Sequence, residues 1–262
     1  MATPKSKLGY ALSWVRSIFL LDPLIYLYTM VLGTLSLLSS LFDRHGRVQH
    51  GFARLWSWLI LKTCLSRTGV VGLDRLDRSR PYVFAANHAS ALDIPMLYVY
   101  LKGQFRIIAK KELFRYPFMG WHLRRSGQLP IDRDNALASL RSLNRAAGSL
   151  RSGMPLVVFP EGGRSATGRI QPFQSGAFYI AIKAKVDVVP MALVGTYEVL
   201  PMNSFHIRPG VMELVVGDPI PTAGYGLRDM DALAARVQQA VEQLYYSRSR
   251  VPDPRTADAS RN

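Results

Sequence analysis

From residue 70 onward, short apolar runs alternate with segments of helical periodicity, and this alternation restricts the possible folds more than any other feature. Runs at residues 82–86, 105–108, 129–131, 156–159, 186–194 and 211–216 have strand length and lie between polar, Gly- or Pro-containing stretches. Residues 94–101, 136–150 and 178–185 read as helices between them, and residues 227–246 as a closing helix. The stripe Leu137, Leu140, Leu143, Ala147 and Leu150 falls on one helical face. Strands separated by helices pair in parallel through crossover connections. The expected fold is therefore α/β, with a mostly parallel central sheet flanked by helices.

Residues 8–42 form the most apolar stretch of the chain and are divided by Asp22-Pro23. Proline can begin a helix but breaks one already running, so two helices are expected here. Residues 24–42 carry no charge. At 1.5 Å per residue they reach about 28 Å, close to the ~30 Å of a hydrocarbon core. The part before Pro23 carries Arg16 and is too short to span. A cleaved leader fits poorly, although Lys5 and Lys7 could flank one, because the apolar stretch is too long and lacks a small-x-small cleavage site. A single span and two partly embedded helices both remain open. Phe52, Leu55, Trp56, Leu59 and Ile60 then give an amphipathic helix, suited to a bilayer interface or to packing on the domain core. The expected division is a membrane-attaching helical segment at 1–46, an α/β domain at 47–246 and a polar, disordered tail at 247–262.

The 262 residues carry a formal charge of +15, which calls for an anionic partner. Nucleic acid would use that charge through phosphate contacts, but no zinc-finger spacing, aromatic sheet motif or basic zipper is present. An anionic lipid leaflet would use it equally, and the apolar N-terminal stretch favours the membrane. The expected location is the cytoplasmic face of a membrane, with a bacterial inner membrane as the expected case. Cys64 is the single cysteine, so no internal disulfide and no cysteine-rich metal site is expected.

Of the five histidines, only His88 is followed five positions later by an aspartate, Asp93. His88 follows an apolar strand, where loops present functional groups, and Ser90 can cap the next helix and put Asp93 in its first turn. Two helical residues five apart would point about 140° away from one another, so His88 must lie in the loop for the pair to meet. A carboxylate on one imidazole nitrogen fixes the tautomer while the other nitrogen takes a hydroxyl proton. Chance alone would supply such a spacing about one time in four, and an aspartate also suits a helix N-terminus without any catalytic duty. The run Phe159-Pro160-Glu161-Gly162-Gly163-Arg164-Ser165 adds independent weight. Its paired glycines admit backbone N–H groups to an anion, and Arg164 offers a planar fork for a phosphate.

Four blocks occur together and in order: Asn87-His88 with Asp93; Gly127-Gln128-Leu129-Pro130-Ile131-Asp132-Arg133; Phe159-Pro160-Glu161-Gly162 with Arg164-Ser165; and Val189-Pro190. With Ala109-Lys110-Lys111-Glu112-Leu113 after the first block, this resembles the glycerolipid acyltransferase family, most closely its 1-acyl-glycerol-3-phosphate acyltransferases. The resemblance covers about residues 70–216. It implies acyl transfer from a thioester, carried by CoA or acyl carrier protein, to the hydroxyl of a lysophospholipid, without metal, cofactor or acyl-enzyme. His88 would be the base and Asp93 its orienter. Lys110, Arg133 and Arg164 would hold the acceptor phosphate, with Glu161, Gly162 and Gly163 in the loop that shapes that site.

Gly163 departs from the pattern, since lysophosphatidate acyltransferases usually have threonine there and glycerol-3-phosphate acyltransferases more often glycine. Glycerol-3-phosphate and lyso-ornithine lipids are therefore alternative acceptors. A serine hydrolase would need a Gly-x-Ser-x-Gly elbow, which is absent. A non-catalytic membrane-binding protein would keep the apolar N-terminus and the charge, but would have no use for His88, Asp93 and Arg164 together.

Overall fold

The computed structural model of the protein describes residues 7–43, 45–132 and 135–254. Two helices, α1 (Lys7–Arg16) and α2 (Asp22–Ser39), are joined by a five-residue π-helical segment, Ser17–Leu21, into one continuous rod. Helix α3 (Arg47–Thr63) turns back along it. The α/β unit then follows as β1 (Arg67–Val71), β2 (Val83–Ala86), α4 (Asp93–Tyr100), β3 (Arg106–Lys110), α5 (Met119–Arg125), β4 (Leu129–Ile131), α6 (Ala136–Arg151), β5 (Leu156–Val158), α7 (Tyr179–Ala184), β6 (Val188–Val194), the short α8 (Thr196–Val199), β7 (Val211–Val216) and α9 (Met230–Tyr246).

The seven strands lie in the order β1-β7-β6-β2-β5-β3-β4, and every pairing is parallel except β6 with β7. The parallel core follows from the sequence pattern, because β2, β5 and β6 are buried along their whole length and read as continuous apolar runs. Helices cover both faces. Met96 and Leu97 of α4 and Ile60 of α3 pack with Phe84, Val157 and Val189 on one side. On the other, Leu150 of α6, Ile180 of α7 and Val237 of α9 pack on Val83, Leu156 and Val188. Each fully buried Leu, Ile or Val contributes about 1.5–3 kcal/mol relative to exposure.

Three expectations change. Pro23 does not end a helix: the rod runs from Lys7 to Ser39. The π segment immediately before Asp22-Pro23 supplies the reason, since widening that turn relieves the clash between the proline ring and the preceding carbonyls. The buried face of α3 is also rotated from the apolar stripe. Gln49, His50, Ala53, Ser57, Ile60 and Leu61 are buried, while Leu55 and Trp58 stay exposed. Finally, the start of the expected tail packs on the domain: Val251 sits against the cluster of Ala192, Val194, Val215 and Tyr245, and Arg248 pairs with Glu213 at 2.8 Å. Residues 255–262 lie outside the described residues.

The rod is fastened to the rest of the protein at intervals along its length. Ser13 Oγ lies 3.1 Å from His206 Nε2. The buried Ser17 hydroxyl donates to the Ile207 carbonyl at 3.2 Å and accepts from the Ile207 N–H at 3.1 Å. Trp56 of α3 donates to Thr29 at 2.8 Å, and Ser36 meets His122 of α5 at 3.2 Å. Replacing Ser17 with Ala would leave the buried Ile207 N–H without its partner, while the Ile207 carbonyl keeps the Arg16 guanidinium at 3.4 Å. The expected cost is about 1–3 kcal/mol, read as a lower midpoint in denaturant unfolding.

Candidate active site

Strands β2, β5 and β3 are neighbours, and each ends beside a residue picked out by the sequence: His88 after β2, Glu161 to Arg164 after β5, and Lys110 as the last residue of β3. Because these strands are parallel, all three positions fall on one edge of the sheet, where open α/β folds bind ligands. Lys111 and Asp132 pair at 2.7 Å at the same edge, beyond β3 and β4. Arg133, the remaining phosphate-holding candidate, lies outside the described residues.

Helix α4 begins at Asp93, which puts that carboxylate in the first turn as expected. Ser90 plays a smaller part than a cap for this helix. Its hydroxyl accepts from the Leu92 N–H at 3.1 Å and donates to the Leu200 carbonyl at 2.7 Å. The reaching is done by Asp93. Its Oδ2 accepts from the N–H groups of Ala89 and Ser90, both at 2.8 Å, and lies 2.7 Å from His88 Nδ1. Asp93 is fully buried, whereas the His88 side chain keeps 17% exposure. With Nδ1 committed, the proton-accepting atom is Nε2, which has no hydrogen-bond partner among the described residues.

The loop after β5 wraps around His88. Phe159 stacks on the imidazole with ring centroids 4.1 Å apart and planes 21° from parallel. The Ser165 N–H donates to the His88 carbonyl at 2.7 Å, while Glu161 Oε1 accepts the His88 N–H at 2.6 Å and Oε2 accepts the Gln171 N–H at 3.0 Å. Glu161 is thus the buried clamp between two loops, its carboxylate engaged by backbone rather than presented to a ligand. Burial pushes its carboxyl up to about 8, against the two N–H groups that draw it down, and the nearby Asp93 charge adds to the rise.

Gly162 is held at φ +80°, a left-handed backbone that suits glycine. Gly163 has no such requirement, and a Cβ there would meet nothing within 4 Å. Arg164, one residue from the Ser165 that bonds the His88 backbone, is exposed, and so is Lys110. Neither is ion-paired among the described residues. The edge therefore combines a fixed imidazole with two exposed cations on its β5–β3 side.

Two contributors were unassigned in the sequence. Phe159 stood inside a recognised block but gave no hint of stacking on His88. Asn87 was visible only as the residue before the histidine. Its buried amide donates to the Leu193 carbonyl at 3.1 Å and accepts from the Leu193 N–H at 2.7 Å, tying the end of β2 to β6.

Residues 67–194 match the family model described as Acyltransferase. The chain belongs to the acyltransferase family. Among its relatives, a 1-acyl-sn-glycerol-3-phosphate acyltransferase of Chlamydomonas reinhardtii is 33% identical over 226 residues, 85% of this chain and 65% of that protein. A chloroplastic 1-acyl-sn-glycerol-3-phosphate acyltransferase of Brassica napus is 36% identical, over 69% of this chain and 53% of that one. The human 1-acyl-sn-glycerol-3-phosphate acyltransferase alpha is 31% identical, over 68% and 64%. The match thus spans between about half and two thirds of these relatives' length. The crystal structure of the 1-acyl-sn-glycerophosphate (LPA) acyltransferase PlsC from Thermotoga maritima superposes with a TM-score of 0.69 at 25% identity, covering 91% of this chain and 97% of that one.

The Glu161 clamp sets a pH dependence. Its folded carboxyl sits near 8 and its ordinary value is 4.5. Between those values the folded protein holds more protons than the unfolded chain, so stability falls as pH rises through that window. Denaturant midpoints between pH 5 and 8 should decline for wild type. Glu161→Gln, neutral throughout, should start lower and show a flatter slope.

Proposed function

We propose that the protein is a 1-acyl-glycerol-3-phosphate O-acyltransferase, moving a fatty acyl group from an acyl thioester to the sn-2 hydroxyl of lysophosphatidic acid to give phosphatidic acid. The observation that carries this reading is the buried Asp93 locked onto His88 Nδ1, with Nε2 open beside the loop of Gly162, Gly163 and Arg164. The names of the relatives support the choice of acceptor.

In this mechanism His88 Nε2 takes the proton of the acceptor hydroxyl as its oxygen attacks the thioester carbonyl carbon. Buried Asp93 stabilises the imidazolium that forms. A C–O bond forms, the C–S bond breaks, and the departing thiolate of CoA or acyl carrier protein receives the proton from the imidazolium. No acyl-enzyme and no cofactor takes part. Phe159 keeps the ring in its plane, and Glu161 and Asn87 hold the backbone beneath it. Lys110, Arg133 and Arg164 hold the acceptor phosphate, with Arg164 supplying the planar fork.

The same reading places the enzyme on an anionic membrane, at the cytoplasmic face of a bacterial inner membrane. Among the described residues the rod Lys7–Ser39 is long and apolar enough to cross a bilayer. Its fastenings favour lying in the plane of one leaflet. Contacts from Ser13 to Ser36 run over about 35 Å of helix, and a rod held along that length cannot cross the hydrocarbon without drawing the domain in. An apolar outer face with a basic domain beside it suits interfacial embedding.

His88→Ala should lower kcat by about 10²–10⁴-fold without changing the fold, and Asp93→Asn by a similar order through the wrong tautomer. Near-normal turnover by folded His88→Ala would remove the base assignment. Arg164→Lys tests the acceptor. A charge-assisted bond contributes roughly 1.5–3 kcal/mol, so the acceptor's kcat/KM should fall about ten- to a hundredfold while the donor's KM moves little. A lysolipid without the phosphate should lose little further in the mutant; equal losses on both acceptors would assign Arg164 to loop structure instead.

A further inference from the structure

Outside the N-terminal rod, one segment exposes a cluster of large apolar side chains that the chemistry does not use. It is the turn leading into α5, where Tyr116 is 57% exposed, Phe118 54%, Met119 47% and Trp121 48%. Single exposed apolar residues are ordinary, but four within six positions form a patch. The segment is also firmly shaped. Phe118 is held in the left-handed region at φ 57°, an unfavourable backbone for a residue with a side chain. Behind it Gly120 passes so close to Phe114 that an added Cβ would fall 2.2 Å from the Phe114 carbonyl oxygen. Arg124 donates to that same carbonyl. A strained turn braced from behind keeps its apolar side chains outward.

We infer that this turn is a second membrane-contacting element, inserting Phe118, Met119 and Trp121 into the interface of the leaflet that holds the rod. Two observations name a lipid surface as the occupant. One is continuity: Ser36 of α2 and His122 of α5 meet at 3.2 Å, so the turn lies beside the end of the rod where Leu35, Leu38, Leu41 and Phe42 are exposed. The other is charge. Arg115 and Arg125 flank the apolar residues, are exposed, and form no ion pair among the described residues. Aromatic rings between basic residues match the headgroup region of an anionic leaflet. The turn follows the C-terminal end of β3 after one short 3-10 helical segment, Lys111–Arg115, so insertion would bring the acceptor edge of the sheet towards the membrane surface. The inference rests on the rod being a bilayer anchor.

The test uses the full chain and a fluorophore at single introduced cysteines. Cys64 is fully buried, with its thiol pushed up to about 12 by burial, and will not label. Trp121→Cys, Tyr26→Cys on the rod and Leu227→Cys near α9 are each labelled with nitrobenzoxadiazole and mixed with phosphatidylcholine–phosphatidylglycerol vesicles. The expected result is a blue shift and a gain in emission at positions 121 and 26, and none at 227. A shift at 26 without one at 121 overturns the inference and leaves the rod as anchor. A shift at 121 without one at 26 removes the rod as anchor and overturns the inference as stated, since the turn would then contact lipid without the rod beside it. No shift at either removes both, and an equal shift at 227 overturns specific insertion. Met119→Cys serves if Trp121→Cys does not fold. Arg115→Gln combined with Arg125→Gln should weaken binding to vesicles containing phosphatidylglycerol by about thirtyfold and change binding to pure phosphatidylcholine little; unchanged binding to both would overturn the electrostatic part.

Discussion

The carboxylate of Asp93 is the group around which the rest of the site is arranged. A charge buried that deeply is tolerated only when hydrogen bonds replace its water. Here one oxygen, Oδ2, gathers two backbone N–H groups and the His88 ring. That gathering folds the stretch from His88 to Ser90 into the one conformation in which a loop histidine can meet the first residue of the following helix. The loop after β5 then completes the setting from outside. Ser165 bonds the His88 carbonyl, Glu161 bonds its N–H, and Phe159 covers the ring. Every atom of the His88 backbone that could reorient the imidazole is tied to another strand's loop.

Much of this was legible in the chain, and the exceptions have physical causes. Buried parallel strands such as 83–86, 156–158 and 188–194 announce themselves as unbroken apolar runs. Strand β1, Arg67–Val71, does not, because it lies at the sheet edge with exposed ends and only two strong β-formers at its close. The Pro23 rule failed for a reason invisible in composition: a π segment one turn earlier widened the helix. On α3 the apolar stripe left two readings open, and the face that packs is largely the neighbouring one, where closeness to α2 and α4 favours Ala53 and Ser57 over larger residues. Helix α5 escaped notice because Pro117 and Gly120 read as a turn and only seven residues follow the helical pattern.

Site residues divide in the same way. His88 and Asp93 could be paired from spacing because the chemistry constrains it. Glu161 could be located but not understood: its partners are backbone N–H groups at His88 and Gln171, which no side-chain motif records. Asn87 is similar, since its work is done across the sheet on Leu193. Residues that act through backbone contacts leave a letter in the sequence without a description of what they hold.

Gly162 and Gly163 are adjacent but obey different rules. The first is fixed by its left-handed backbone, so change there disturbs the whole loop. The second is not held at positive φ and has empty space where a Cβ would stand. A lineage carrying this scaffold can therefore explore larger residues at 163 one mutation at a time, with the fold neutral to the choice. On the proposed function, acceptor preference would drift there while the His88–Asp93 pair and the sheet beneath it stay unaltered.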